Sequence, residues 1–197
     1  PAGGGAFSQL IEDKKTLRGP GLTKYELHEY ADPIDSSSAT PENWRQIAQD
    51  IADKYEDYDA FVILQGTDTM AYTSSALSFM LENPDKPVIV TGSQKPLAES
   101  GSDAERNLKN ALFLAGNYDF NEVALLFDDK LLRGNRAMKV HAQNTHAFDS
   151  PNQAPLADIR GGHIEFHPER CRQKPGKSFA LRDMEPGNVM LQKLYPG

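Results

Sequence analysis

Among the 197 residues there is one cysteine, Cys171, so no disulfide can close within the chain. No apolar run approaches the roughly 18 residues that a membrane-spanning helix needs. No secretory signal and no Asn-x-Ser/Thr acceptor is visible, which together with the lone cysteine suits a reducing compartment, with the cytoplasm as default. Basic runs go no further than Lys14-Lys15, and a net charge of −7 disfavours nucleic acid as a partner. The common chemical signatures are missing too: GxGxxG after a strand, GxxxxGK(S/T), HExxH and GxSxG. His28, His141, His146, His163 and His167 have no metal-ligand spacing, so a zinc or redox enzyme is poorly supported.

What is present is an ordinary globular mixture, 25% charged and 39% hydrophobic, long enough for one substantial core. The chain starts at Pro1 and closes on Tyr195-Pro196-Gly197 directly after an apolar alternating run, and further sequence is expected on both sides. Phe7, Leu10 and Ile11 have helical spacing. Lys24–Tyr30 alternates like a strand. Thr40-Pro41-Glu42 opens a helix on which Trp44, Ile47, Ala48, Ile51 and Tyr55 share a face. Further strands are expected at 60–64, Lys86–Val90, Glu122–Phe127, His163–Phe166, Phe179–Arg182 and Val189–Tyr195. Helices are expected over Met70–Leu81 and from Ser102, whose Ser-Asp-Ala-Glu has capping-box spacing, to Gly116 as its stop. The stretch from Arg133 to Pro155 shows no period. Strands alternating with helices predict an α/β fold, a doubly wound, mostly parallel sheet with helices on both faces.

The stretch Tyr58–Met70 organises the rest. An apolar strand stops at Leu64, and a small polar turn, Gln65-Gly66-Thr67-Asp68-Thr69, leads into a helix. Read alone, that turn favours Asp68 or Thr69 as a helix N-cap. Three other polar turns, Asp35–Ser38, Thr91–Gln94 and Asp128-Asp129, hold the same place in the repeat. In parallel topology all four reach one sheet edge, where short hydroxyl and carboxylate groups suit a small zwitterionic ligand. A hydroxyl nucleophile needs a base, and Lys139 in the irregular stretch after Asp128 is a candidate, although spacing alone favours a solvated surface lysine.

The segments Gln65-Gly-Thr-Asp-Thr-Met-Ala-Tyr-Thr73, Ala76–Asn83, Pro87–Gln94 and Arg133-Gly-Asn-Arg136 resemble bacterial-type L-asparaginases, closest to the cytoplasmic type I branch. The resemblance runs from about Tyr30 to Pro155, with Tyr195-Pro196-Gly197 also matching. It implies hydrolysis of the asparagine side-chain amide through a threonine acyl-enzyme, without metal or cofactor, in a homo-oligomer (dimer or tetramer). Carried over, Thr67, Asp68 and Lys139 are catalytic, with Asp68 also holding the substrate's α-ammonium. Ser36 and Ser37, with Ser38, match the α-carboxylate-binding turn, and Ser93 lies beside the amide pocket. Gln65 replaces the family's usual histidine, and Ser38-Ala39 replaces its Asp-Met. The family's first strand with its Thr-Gly-Gly-Thr nucleophile turn, its tyrosine-bearing lid and its smaller C-terminal domain have no counterpart in these 197 residues. Residues 1–197 are thus expected to be an N-terminal α/β domain truncated at both ends. The rival reading is a catalytically silent amino-acid-binding or scaffold domain of the same fold.

Overall fold

The computed structural model describes residues 8, 9, 11, 14–19, 21–184 and 192. The α-helices described over their whole length are α1 (Pro41–Asp53), α2 (Met70–Met80) and α3 (Ala104–Asn117). Its strands are β1 (Phe61–Leu64), β2 (Leu81–Glu82), β3 (Val88–Thr91), β4 (Val123–Phe127) and β5 (Lys130–Arg133), followed by β6 (Met138–Lys139), β7 (Phe148–Asp149), β8 (Ala157–Arg160), β9 (His163–Phe166) and β10 (Ala180–Leu181). The main sheet has the order β1-β3-β4-β5-β8-β9. β1, β3 and β4 run parallel, and the extension through β5, β8 and β9 is antiparallel.

Strand alternation explains the two larger of the three apolar clusters among the described residues. Val88, Val90, Val123, Leu125 and Phe127 pack with Ala48 and Ile51 of α1 and Met70, Leu77 and Met80 of α2. Ile89, Ala124 and Leu126 point the other way, onto Ala111, Leu114 and Ala115 of α3. Helices therefore cover both faces of the parallel half, as expected for strands whose side chains are apolar at every position but Thr91. α1 starts as its sequence predicts: Thr40 and Asn43 form a reciprocal capping box, with the Thr40 amide donating to Asn43 Oδ1 at 2.9 Å.

Four expectations fail locally. Lys24–Tyr30 has no ladder partner among the described residues; side chains hold it instead, with the Tyr30 hydroxyl donating to Asp50 of α1 at 2.6 Å. The Ser102–Glu105 capping box does not form, because Glu105 is drawn away to the Thr16 hydroxyl and Lys14. Gly116 does not end α3, which runs on to Asn117; a Cβ there would meet Thr23 Cβ at 2.6 Å, so the glycine serves close packing. The stretch from Arg133 to Pro155, expected to have no period, holds β6 and β7, and β5 before it was not expected. Asp128 and Asp129, at φ 44° and 64°, make a two-residue hairpin into β5, and β6 pairs with β7. Phe7, Leu10 and the Val189–Tyr195 strand, apart from Gln192, lie outside the described residues.

Candidate active site

Parallel pairing of β1 with β3 puts their carboxyl ends side by side, and the Gln65 amide donates to the Thr91 carbonyl at 3.1 Å. Two glycines allow the close approach. A Cβ on Gly92 would lie 2.1 Å from the Gln65 carbonyl oxygen, and one on Gly66 would lie 2.3 Å from Ser36 Oγ. The turn after β1 is thus pressed between the loop after β3 and the 3-10 turn Ser36–Ser38.

The N-cap reading of this turn holds in position for Thr69 but not in its side-chain bonding. Thr69 stands at the N-cap of α2 without a side-chain cap bond, and its hydroxyl donates to the Ser36 carbonyl at 2.7 Å. That bond ties the 3-10 turn to the helix start and leaves Thr67 and Asp68 facing the crevice. Lys139 arrives on β6, whose pairing with Phe148 fixes the backbone. Its Nζ donates to Thr67 Oγ1 at 2.9 Å and to Asp68 Oδ1 at 3.2 Å. The solvated-lysine expectation is therefore overturned: the Lys139 side chain is 21% exposed, against 58% for Asp68.

Of the three serines, Ser36 belongs to the crevice: it is buried, and its hydroxyl lies 3.5 Å from Asp68 Oδ2. The Ser37 amide and hydroxyl both donate to Asp35 Oδ1 at 2.9 Å, and Ser38 Oγ donates to the Asp35 carbonyl at 3.2 Å. Those hydroxyls shape the turn rather than line the crevice. The Ser37 amide and hydroxyl hold the Asp35 carboxyl below its ordinary range. Ser93 sits half-buried just beyond β3. The fourth turn reaches the same edge but is engaged elsewhere, Asp128 with Arg106 at 3.0 Å and with His146 Nδ1 at 2.9 Å.

One residue of the crevice escaped the sequence reading as a site residue. Gln94 Oε1 accepts from Thr67 Oγ1 at 3.1 Å. The polar turn ending at Gln94 was the available signal, but spacing does not say which side chain reaches back 27 positions. The loop that carries it is built from α3: the Asp103 carboxylate accepts from the Gln94 and Lys95 amides at 3.1 Å, and Asn107 donates to the Gly92 carbonyl at 2.9 Å. A cavity of about 410 Å³ lies at the other end of α2, lined by Phe79, Asn83, Arg172, Lys177 and Arg182, well away from these groups. Among the described residues, no cluster of three or more His, Cys, Asp or Glu side chains could hold a metal.

A threonine and a carboxylate at a strand end, both held by one lysine, line a polar crevice on a doubly wound α/β sheet. The family model for the N-terminal part of asparaginases matches residues 6–172, and the chain belongs to that family. It is 59% identical over 182 residues to L-asparaginase 1 of Escherichia coli K12, covering 90% of this chain and 52% of that protein. The chain therefore spans about half the length of this relative. The crystal structure of L-asparaginase I from Vibrio cholerae superposes with a TM-score of 0.92 at 47% identity, over 100% of this chain and 60% of the other. A probable cytoplasmic L-asparaginase from Campylobacter jejuni gives 0.74 at 30% identity, over 87% and 53%.

Proposed function

We propose that this domain carries the strand-end half of a site that hydrolyses the side-chain amide of L-asparagine to L-aspartate and ammonia. The observation that carries the reading is the Lys139 Nζ contact with Thr67 Oγ1 at 2.9 Å, made by residues 72 positions apart. Surface lysines have no reason to converge on a threonine; a proton relay needs that contact.

In this reading Thr67 and Lys139 move protons between the reacting amide and water. The exposed Asp68 carboxylate takes the substrate's α-ammonium. The turn at Ser36, Ser37 and Ser38 receives the α-carboxylate, through Ser36 first, and the backbone at Ser93 lines the amide pocket. The mechanism is acyl transfer in two steps. A second threonine attacks the amide carbon, ammonia leaves with a relayed proton, and water then cleaves the β-aspartyl ester. Backbone amides at the strand ends stabilise the oxyanion. No threonine in residues 1–197 sits in a Gly-Gly-Thr turn, so the attacking residue is proposed to come from chain outside this domain. The domain is read as the N-terminal part of a cytoplasmic homo-oligomer. The location is supported by the Campylobacter neighbour's description as cytoplasmic.

The experiment is ammonia release from L-asparagine by the protein at its natural length, beside Thr67→Val and Lys139→Met. Turnover is expected in the wild type and a loss of about 10³-fold or more in each variant, the scale seen when a relay member is removed. Asparagine binding without ammonia release from the wild type would establish the rival, binding-only reading.

A further inference from the structure

The cavity of about 410 Å³ at the far end of α2 has a chemistry of its own. Three cations line it, Arg172, Lys177 and Arg182, against one carboxylate, Glu82, in a chain whose net charge is −7. Arg182 is already neutralised, its guanidinium meeting Glu82 at 2.9 Å. The Arg172 guanidinium and the Lys177 ammonium have no hydrogen-bond or ion-pair partner among the described residues. Beside these two unpaired charges the wall is apolar, with Leu81, Pro84 and Pro175 and the ring of Phe79, which is 59% exposed. The hollow is held open by hydrogen bonds between segments far apart in the chain. The Arg172 amide donates to the buried Glu122 carboxylate at 2.7 Å, and its carbonyl accepts from Asn121 Nδ2 at 3.3 Å. Next to Lys177, the Ser178 carbonyl accepts from Asn83 Nδ2 at 3.3 Å, and the Arg182 amide donates to the Met80 carbonyl at 2.7 Å. A void of about 10 Å³ shares Ser78, Pro84 and Arg172 with the cavity, and one of its lining atoms, Asn135 Oδ1, is a buried acceptor without a partner among the described residues.

We propose that this cavity is a second ligand site, for a phosphate monoester that carries a flat aromatic ring, the chemistry of a nucleoside monophosphate. Charge selects the phosphate. A phosphate monoester bears close to two negative charges at neutral pH, which matches two unpaired cations, whereas a single carboxylate leaves one of them unmatched. The planar fork of Arg172 suits two phosphate oxygens at once, and Lys177 adds a point charge. Phe79 selects the ring, because an exposed aromatic face beside a basic group is a platform on which a base stacks. The amides of Asn83, Asn121 and Gln173 offer donors and acceptors to the base edge and the sugar, and Asn135 Oδ1 is a spare acceptor for a ribose hydroxyl, directly or through one water. The volume lies within the roughly 300–1,000 Å³ of small-molecule sites, and walls already fixed cost little ordering on binding. Scattered surface cations look different: neighbouring Lys174 points to Asp85 at 3.7 Å and does not line the cavity. The site lies outside the crevice of Thr67, Asp68 and Lys139 and does not rest on the asparagine reading.

The test is isothermal titration of the natural-length protein at low salt with adenosine 5′-monophosphate, beside ribose 5-phosphate and adenosine. The nucleotide is expected to bind about tenfold more tightly than ribose 5-phosphate, which lacks the stacking ring, and at least about tenfold more tightly than adenosine, which lacks the charge. Arg172→Met and Lys177→Met should each weaken the nucleotide about tenfold or more. Both side chains are exposed, and the bond from the Arg172 backbone amide to Glu122 survives the substitution, so unchanged unfolding midpoints are expected. Phe79→Ser should bring the nucleotide down to the affinity of ribose 5-phosphate and leave ribose 5-phosphate unaffected. Saturating L-aspartate should not displace the nucleotide. No binding at millimolar nucleotide, adenosine binding as tightly as the nucleotide, or binding untouched by all three substitutions overturns the proposal. So does displacement by L-aspartate, which would put the nucleotide in the strand-end crevice, and so does a crystal structure of the natural-length protein with its own chain filling the cavity. Ammonia release from asparagine is a separate readout, and its presence or absence leaves these outcomes unchanged.

Discussion

At the residue scale the site is a matter of donors and acceptors at a strand end. Asp68 and Lys139 form an ion pair whose carboxylate is more than half exposed, so the pair itself adds little to stability. Its value lies in the charge it presents. Asp68→Asn in the natural-length protein should raise KM for asparagine about 10- to 100-fold, matching a lost charge-assisted contact of about 1.5–3 kcal/mol. Thermal stability should hardly change. Initial rates at low asparagine beside a melting curve check both halves. Asp35 supplies a pH expectation. Its folded-state pKa is lowered, first by the Ser37 amide and then by the Ser37 hydroxyl. The turn is therefore stabilised fully above the ordinary carboxyl value of 3.8 and loses that support as pH falls through the lowered folded value. Substrate affinity should show no loss of the turn between pH 5 and 8, and Asp35→Asn should weaken binding across that whole range. The roles of Thr67, Asp68 and Lys139 were suggested in the sequence by resemblance, and the Asp-Ser-Ser bonding was readable as local turn chemistry. Gln94 was not readable, because its contact with Thr67 spans 27 positions and spacing does not say which side chain of the turn reaches back.

At the element scale two strand ends and one tight turn place everything. Gly92→Ala would drive a Cβ to 2.1 Å from the Gln65 carbonyl oxygen, which cannot yield without moving β1 from β3, and to 2.7 Å from Met70 Cε, the end of a flexible side chain. The expected cost is about 1–3 kcal/mol, with kcat falling further than stability because the Thr67 turn and the Gln94 loop separate. A denaturant midpoint compared with kcat on the same sample distinguishes this from simple unfolding. Amphipathic spacing made α1 legible, and hydrophobic runs between polar turns did the same for β1, β3 and β4. β5 and the β6–β7 pair were hidden for a physical reason. They are two to four residues long, and the turn before β5 uses two aspartates in left-handed backbone where a glycine would have signalled a hairpin. Lys139 therefore sat in a stretch without a period, and only β6 pairing explains why it faces the crevice.

At the scale of the whole molecule, the parallel half of the sheet builds the site and the antiparallel half braces it. Glu122, at the start of β4, is buried and joins Arg133 at 2.5 Å, while the Arg133 guanidinium also donates to the Arg170 carbonyl at 2.7 Å. Removing the carboxylate in Glu122→Ala strands a guanidinium that is 18% exposed, and should destabilise the fold by about 3–5 kcal/mol. Urea unfolding measures this, and a loss under 1 kcal/mol would mean that the brace is dispensable. Cys171 packs in the same region, where burial first and then Glu122 push its thiol up to about 11. The α/β class and the two helical layers followed from alternation of elements. Of the antiparallel extension, β9 was legible at His163–Phe166, but β8 was not, since it is short and its outward positions are charged.

The account stands or falls on where the substrate's two charged groups go. The most direct measurement is a crystal structure of the natural-length protein with L-aspartate bound, refined with the ligand orientation left free. The account predicts the α-ammonium within hydrogen-bond distance of the Asp68 carboxylate. It also predicts the α-carboxylate against the Ser36 turn and the side-chain carboxyl group facing Thr67 and Lys139. Aspartate bound with its α-ammonium away from Asp68, or bound with no contact to the Gly66–Thr69 turn, would contradict it.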